Sequence, residues 1–145
     1  MPETGAAAIE LISLTKRYGR TVGIDGLDIE VGTGEVFGLL GPNGAGKTTT
    51  LRCLVGLLRP TTGEVRVLGL DPVADHRLLA PAIGYLPGEL RLYPELTGRQ
   101  TLDLLAALQG TPVPRQAELC ARLNLSTGDF HRAVGEYPRW RSCPP

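Results

Sequence analysis

Net charge is the first thing this sequence lacks. Fifteen Lys and Arg residues balance fifteen Asp and Glu. That leaves no basic footprint for nucleic acid and no bulk attraction to an anionic membrane, so any anion recognised here must be held by a local device. Cysteine is sparse. Cys53, Cys120 and Cys143 are odd in number and match no zinc-binding spacing. With no secretory signal in view, they read as reduced thiols of a cytosolic protein. No apolar run approaches the roughly 18 residues of a membrane span. Met1-Pro2-Glu3 carries no basic n-region, and Ala6-Ala7-Ala8-Ile9 is too short for the apolar centre of a leader. Internal repeats and long linkers are also missing. Lysine is nearly absent: thirteen of the fifteen basic residues are Arg, and only Lys16 and Lys47 are Lys.

What is present suits one compact domain. The chain has 145 residues, 42% hydrophobic and 21% charged, which reads as globular rather than disordered. Gly and Pro together make up about a fifth of it, short of low complexity but rich in turns. Ile9 to Tyr18 reads as a strand. Leu27, Ile29 and Val31 alternate with Asp28 and Glu30, predicting a half-buried second strand before a turn at Gly32 to Gly34. Val36-Phe37-Gly38-Leu39-Leu40 is a continuous apolar run, as expected of a strand buried on both faces. Leu51, Leu54, Val55 and Leu58 then share one helical face, ended by Pro60. Val65 and Val67 mark another strand. A short helix is expected over 73–79 and a short strand over 83–86. Thr97-Gly98-Arg99-Gln100 is a capping box that opens a helix. Leu102, Leu105 and Leu108 give that helix an apolar stripe, and Gly110 closes it. A last helix is expected over 114–123.

Between the apolar run and the first helix lies Gly41-Pro42-Asn43-Gly44-Ala45-Gly46-Lys47-Thr48, which fits G-x-x-x-x-G-K-[ST], the phosphate-binding loop. Successive backbone N–H groups in such a loop form a nest for phosphate oxygens. Small side chains let the backbone come close. Lys47 would reach the β- and γ-phosphates, the Thr48 hydroxyl would ligate Mg²⁺, and the helix N-terminus would point its positive end at the same charge. One of only two lysines falls where the motif requires it.

The wider text, Val36 through Thr49, closely resembles the Walker A region of ABC transporter ATP-binding domains. Three further segments agree in order. Leu14-Thr15-Lys16-Arg17-Tyr18-Gly19 is similar to the adenine-loop segment. Pro60-Thr61-Thr62-Gly63-Glu64-Val65 is similar to the turn and strand after the Walker A helix. Ile83-Gly84-Tyr85-Leu86-Pro87, with Leu92-Tyr93-Pro94-Glu95-Leu96-Thr97, is similar to the Q-loop and the start of the helical subdomain. The resemblance covers roughly residues 9–137. It implies an α/β fold: a P-loop NTPase core, an N-terminal antiparallel β portion and the start of a helical subdomain. It also implies ATP and Mg²⁺ as ligands. Gly41, Asn43, Gly44, Gly46, Lys47, Thr48 and Thr49 would form the phosphate and metal site. Tyr18, which alone reads as a strand aromatic in the core or as a stacking platform, becomes the adenine platform. One site departs from the pattern: where the family usually has Gln, this chain has Gly88-Glu89. Glu89 is either a hard oxygen ligand for Mg²⁺ or a solvated loop carboxylate. His76 and His131 stand isolated and read as surface residues, Cys53 as a small buried one.

The implied function is the ATP-binding subunit of a transporter, on the inner face of the membrane. Its implied partners are a transmembrane permease and a second ATPase domain, head to tail. The family's later elements are absent from this sequence: a signature loop, a Walker B strand ending in Asp-Glu, and a switch His. Val134-Gly135-Glu136-Tyr137 resembles the approach to a signature loop, but Pro138-Arg139-Trp140-Arg141-Ser142-Cys143-Pro144-Pro145 cannot continue a helix or strand. The expectation is a family segment over 1–137 and a non-family tail over 138–145. The tail is either out-of-frame text or a natural short end. The chain is then a truncated transport ATPase, or a non-catalytic nucleotide-binding stub. A soluble ABC ATPase of translation or DNA repair fits less well, since those have paired domains or long insertions.

Overall fold

The computed structural model describes residues 7–88, 92–110 and 116–137. Two compact units divide between Leu86 and Pro87. In the first, strands β1 (Ala7–Tyr18) and β2 (Thr21–Gly32) form a long hairpin, and β3 (Thr62–Val67) pairs with the other edge of β1. The sheet is antiparallel with order β2-β1-β3. Helix α1 (Lys47–Leu54) packs against β2 and β3, and a short helix α2 (His76–Leu79) runs into a 3-10 turn over Ala80–Ala82. The core gathers Leu11, Leu14, Ile24, Cys53, Val65, Val67 and Leu79.

Leu11 and Leu14 are three residues apart, and a regular strand would send them to opposite faces. Both are buried because the register slips between them. Ser13 takes a left-handed φ of 47° there, and its N–H donates to Asp28 Oδ1 at 2.6 Å. This is a β-bulge that re-aims a side chain. Gly63 lies opposite it: a Cβ there would sit 2.6 Å from the Ile12 carbonyl oxygen, so only glycine fits.

Five expectations need correction. Val36–Leu40 is not a strand; Val36 and Leu40 are 98% and 92% exposed. Apolar content gives a segment a preference for burial but not a pairing partner. No described strand pairs with this run, and an extended backbone without a ladder is not held as sheet. No described strand pairs with residues 83–86 either, although Ile83 packs on the core. The buried face of α1 is rotated: Thr50 and Cys53 are buried and Leu54 packs on the core, while Leu51 is 44% exposed. The helix also stops before Pro60, with Val55 as its C-cap and Gly56 left-handed. The helix expected over 73–79 is shorter, because Asp71 turns the chain first, accepting from the N–H groups of Val73 (2.8 Å) and Ala74 (3.0 Å).

The second unit is helical. Helix α3 (Gly98–Gln109) starts at the Thr97 capping box and ends at left-handed Gly110. Helix α4 (Gln116–Arg122) and helix α5 (Thr127–His131) follow. Helix α5 has its own capping box, Ser126 with Asp129. A bridge pairs Thr97 with Ala133, and the N–H of Val134 donates to the Leu96 carbonyl at 2.8 Å. Of the expected stripe on α3, Leu105 and Leu108 remain exposed. No helix among the described residues is long and apolar enough to cross a membrane.

Candidate functional site

The loop between residue 41 and α1 is shaped by backbone that glycine permits. Gly44 and Gly46 have φ of 86° and 83°, in the left-handed region. Gly46 is constrained twice. A Cβ there would stand 2.5 Å from the Gly23 carbonyl oxygen and 3.1 Å from Ile24 Cγ1. The loop therefore seats directly on the backbone of β2.

Helix α1 begins at Lys47 with no side-chain cap and no acidic residue in its first turn. Its first backbone bond runs from the Thr50 N–H to the Gly46 carbonyl at 2.8 Å, and the Thr50 hydroxyl donates to the same oxygen at 3.1 Å. The N–H groups of Lys47, Thr48 and Thr49 thus have no helical acceptor. They border a cleft of about 210 Å³ lined by Gly23, Asn43, Gly44, Ala45, Gly46, Lys47, Thr48 and Thr49. An open, uncapped first turn with positive dipole charge suits an anion.

The Lys47 ammonium sits on its own loop. Its Nζ donates to the carbonyls of Gly41 (2.5 Å) and Pro42 (2.6 Å). Thr48 lies exposed at the helix start and offers a hard oxygen. Mg²⁺ keeps most of its ligands as water and phosphate, so one exposed hydroxyl beside an uncapped helix start would fit it. Gly41 is a partner of Lys47 through its carbonyl rather than a wall of the cleft.

Tyr18 stands at the end of the β1–β2 hairpin, opposite Thr21, and is 47% exposed. It is not a core aromatic. The Lys16 ammonium lies 5.5 Å from its ring centroid. Gly23 links it to the loop: a Cβ there would be 3.0 Å from Tyr18 Cε2, and the Gly23 carbonyl is the one that Gly46 abuts. Sequence reasoning passed over Gly23 and Lys16, although Lys16 is the other of only two lysines. Glu89 lies outside the described residues. His76 and His131 are exposed and Cys53 is fully buried; burial pushes the Cys53 thiol pKa up, with Lys16 opposing.

A family model for ABC transporters matches residues 24–138. The probable multidrug ABC transporter ATP-binding protein YbhF of Escherichia coli K12 is 38% identical over 124 residues, 86% of this chain and 22% of that protein. The daunorubicin/doxorubicin resistance ATP-binding protein DrrA of Streptomyces peucetius is 41% identical over 116 residues, 80% of this chain and 35% of that one. A solved structure of an ATP-binding subunit of an ABC transporter superposes with a TM-score of 0.78 at 25% identity. That match covers 90% of this chain and 56% of the other. The chain therefore spans a fifth to a third of the length of the curated relatives compared here.

Proposed function

The chain belongs to the ABC transporter family, and from that premise we propose that it binds MgATP in the cleft over α1. The carrying observation is the uncapped start of α1 bordering that cleft. Gly41, Asn43, Gly44, Gly46, Lys47, Thr48 and Thr49 form the triphosphate site. Backbone N–H groups hold the β-phosphate oxygens. The Lys47 ammonium leaves the Gly41 and Pro42 carbonyls and pairs with the β- and γ-phosphates. The Thr48 hydroxyl holds Mg²⁺, which when bound neutralises phosphate charge. Tyr18 stacks on adenine; such stacking contributes about 1–3 kcal/mol. Glu89, as a second oxygen ligand, belongs to the same proposal.

In a complete assembly this segment serves ATP-driven transport, as a cytoplasmic motor on the inner face of the membrane. It docks there on a transmembrane permease and pairs head to tail with a second ATPase domain. Residues 1–137 are the family part and 138–145 a tail outside it. The 145 residues hold no signature loop, Walker B Asp or catalytic Glu. Phosphoryl transfer depends on positioning water and stabilising charge, so these 145 residues taken by themselves should bind ATP without turning it over. Calorimetry of the purified chain tests the reading. Saturable MgATP binding that weakens in Lys47→Ala supports it, and unchanged affinity in that variant overturns the phosphate-site assignment. Steady phosphate release over several turnovers would refute the claim of binding without hydrolysis.

A further inference from the structure

We propose that Lys16 is a positioning residue for the nucleobase, acting through Tyr18. The inference rests on the reading of Tyr18 as the adenine platform and adds the group that fixes the platform's plane and charge. Lys16 is half-buried on β1. Its Nζ donates to the Arg59 carbonyl at 2.6 Å. That carbonyl belongs to the segment joining α1 to β3, which is itself stapled to the end of β1. The Arg17 N–H donates to Thr61 Oγ1 at 3.0 Å, and the Thr61 N–H donates to the Thr15 carbonyl at 2.8 Å. The ammonium is therefore held on a fixed anchor. Among the described residues no ion pair neutralises it.

From that anchor Nζ stands 5.5 Å from the centroid of the Tyr18 ring, within the roughly 6 Å over which a cation is drawn to an aromatic face. The ring is thus bounded by a cation over it and by Gly23 at its Cε2–Cδ2 edge, and the residue is still 47% exposed. A ring held this way loses little freedom when a base stacks on it. The cation also draws electron density from the ring, which favours stacking by an electron-rich purine. Lys16 has no part in holding phosphate: the cleft over α1 does not include it. The prediction is selective. Lys16 supports binding of the base and is silent toward a triphosphate that has none.

The test uses the whole 145-residue chain. Dissociation constants for MgATP and for magnesium tripolyphosphate are measured in the wild type, Lys16→Met, Tyr18→Leu and the double variant. Lys16→Met should weaken MgATP about three- to fivefold, leave tripolyphosphate unchanged, and add nothing in the Tyr18→Leu background. Lys16→Gln, which keeps a donor for the Arg59 carbonyl but no charge, should match Lys16→Met. Lys16→Arg should restore binding to within about twofold. If Lys16→Met does not fold, the Gln and Arg variants carry the same comparison. Equal weakening of both ligands would make Lys16 merely structural and overturn the proposal. Tyr18→Leu weakening MgATP while Lys16→Met and Lys16→Gln do not would overturn it alone. Wild-type MgATP affinity in Tyr18→Leu would remove the platform and the proposal together.

Discussion

Replacing Lys47 by Met should weaken nucleotide binding by less than a bare count of lost phosphate contacts implies. Two charge-assisted hydrogen bonds from an ammonium to phosphate oxygens contribute about 1.5–3 kcal/mol each. Without nucleotide, however, the same ammonium already donates to two carbonyls, of Gly41 at 2.5 Å and Pro42 at 2.6 Å. Those bonds break on binding. In this half-exposed setting they return about 0.5–1 kcal/mol each. The net is about 1–5 kcal/mol, or roughly 5- to 5000-fold in Kd. The same bonds make a second claim. Lys47→Met should loosen the empty loop, lowering the nucleotide-free melting temperature by a few degrees. A lysine that only contacted phosphate would leave the empty protein unchanged or more stable. Calorimetry with MgATP and thermal denaturation without it separate the two effects. An unaltered melting temperature in the empty variant refutes the loop clasp, and an unaltered Kd refutes the phosphate role.

Three further outcomes are expected. Gly46→Ala should destabilise the first unit by about 1–3 kcal/mol, because its Cβ meets the Gly23 carbonyl at 2.5 Å. A urea titration showing no change would contradict the close seating of loop on strand. Bonds from the Ala74 and Val73 N–H groups hold the Asp71 carboxyl below its usual pKa range. Its contribution is therefore complete above the unfolded pKa near about 4 and fades as pH falls through the lower folded value. Asp71→Asn should flatten the drop in melting temperature between about pH 5 and 2; an unchanged acid limb counts against this. Val36→Lys with Leu40→Lys should reduce self-association, since those side chains stand in water at 98% and 92% exposure. Light scattering indistinguishable from the wild type would remove that run as the sticky element.

Legibility in the sequence followed how local each determinant was. The alternation Leu27, Ile29, Val31 against Asp28 and Glu30 predicts β2, and these residues occupy it with the acidic side chains exposed. The Thr97–Gln100 box predicts the start of α3, and both reciprocal bonds are present. The glycines of the loop are legible because their conformations are set within a few residues. Legibility failed where a distant partner decides. Val36–Leu40 has the composition of a strand but no described ladder to join. Leu11 and Leu14 share a face only through the bulge at Ser13, held by Asp28 across the hairpin. Thr50 can lie on the buried face of α1 because its hydroxyl is satisfied by the Gly46 carbonyl, a bond that apolar periodicity does not register. The Ser126–Asp129 box that starts α5 is just as local, with Asp in place of the usual Glu or Gln.

The sheet order β2-β1-β3 also sets a timetable. The β1–β2 hairpin closes between neighbours, Tyr18 against Thr21, an event of microseconds. Joining β3 to β1 brings Ile9 to Val67, across a stretch that contains the whole phosphate loop and α1. Closing so long a loop is entropically uphill until the sheet contacts form. The loop must seat on the already folded Gly23 strand while its far end is still being captured. The hairpin is therefore the template and the anion cradle a late product of refolding. Nucleotide in the refolding buffer should leave the hairpin phase untouched and act chiefly by slowing unfolding, because the cradle it would recognise forms only once the loop has a folded hairpin to seat on.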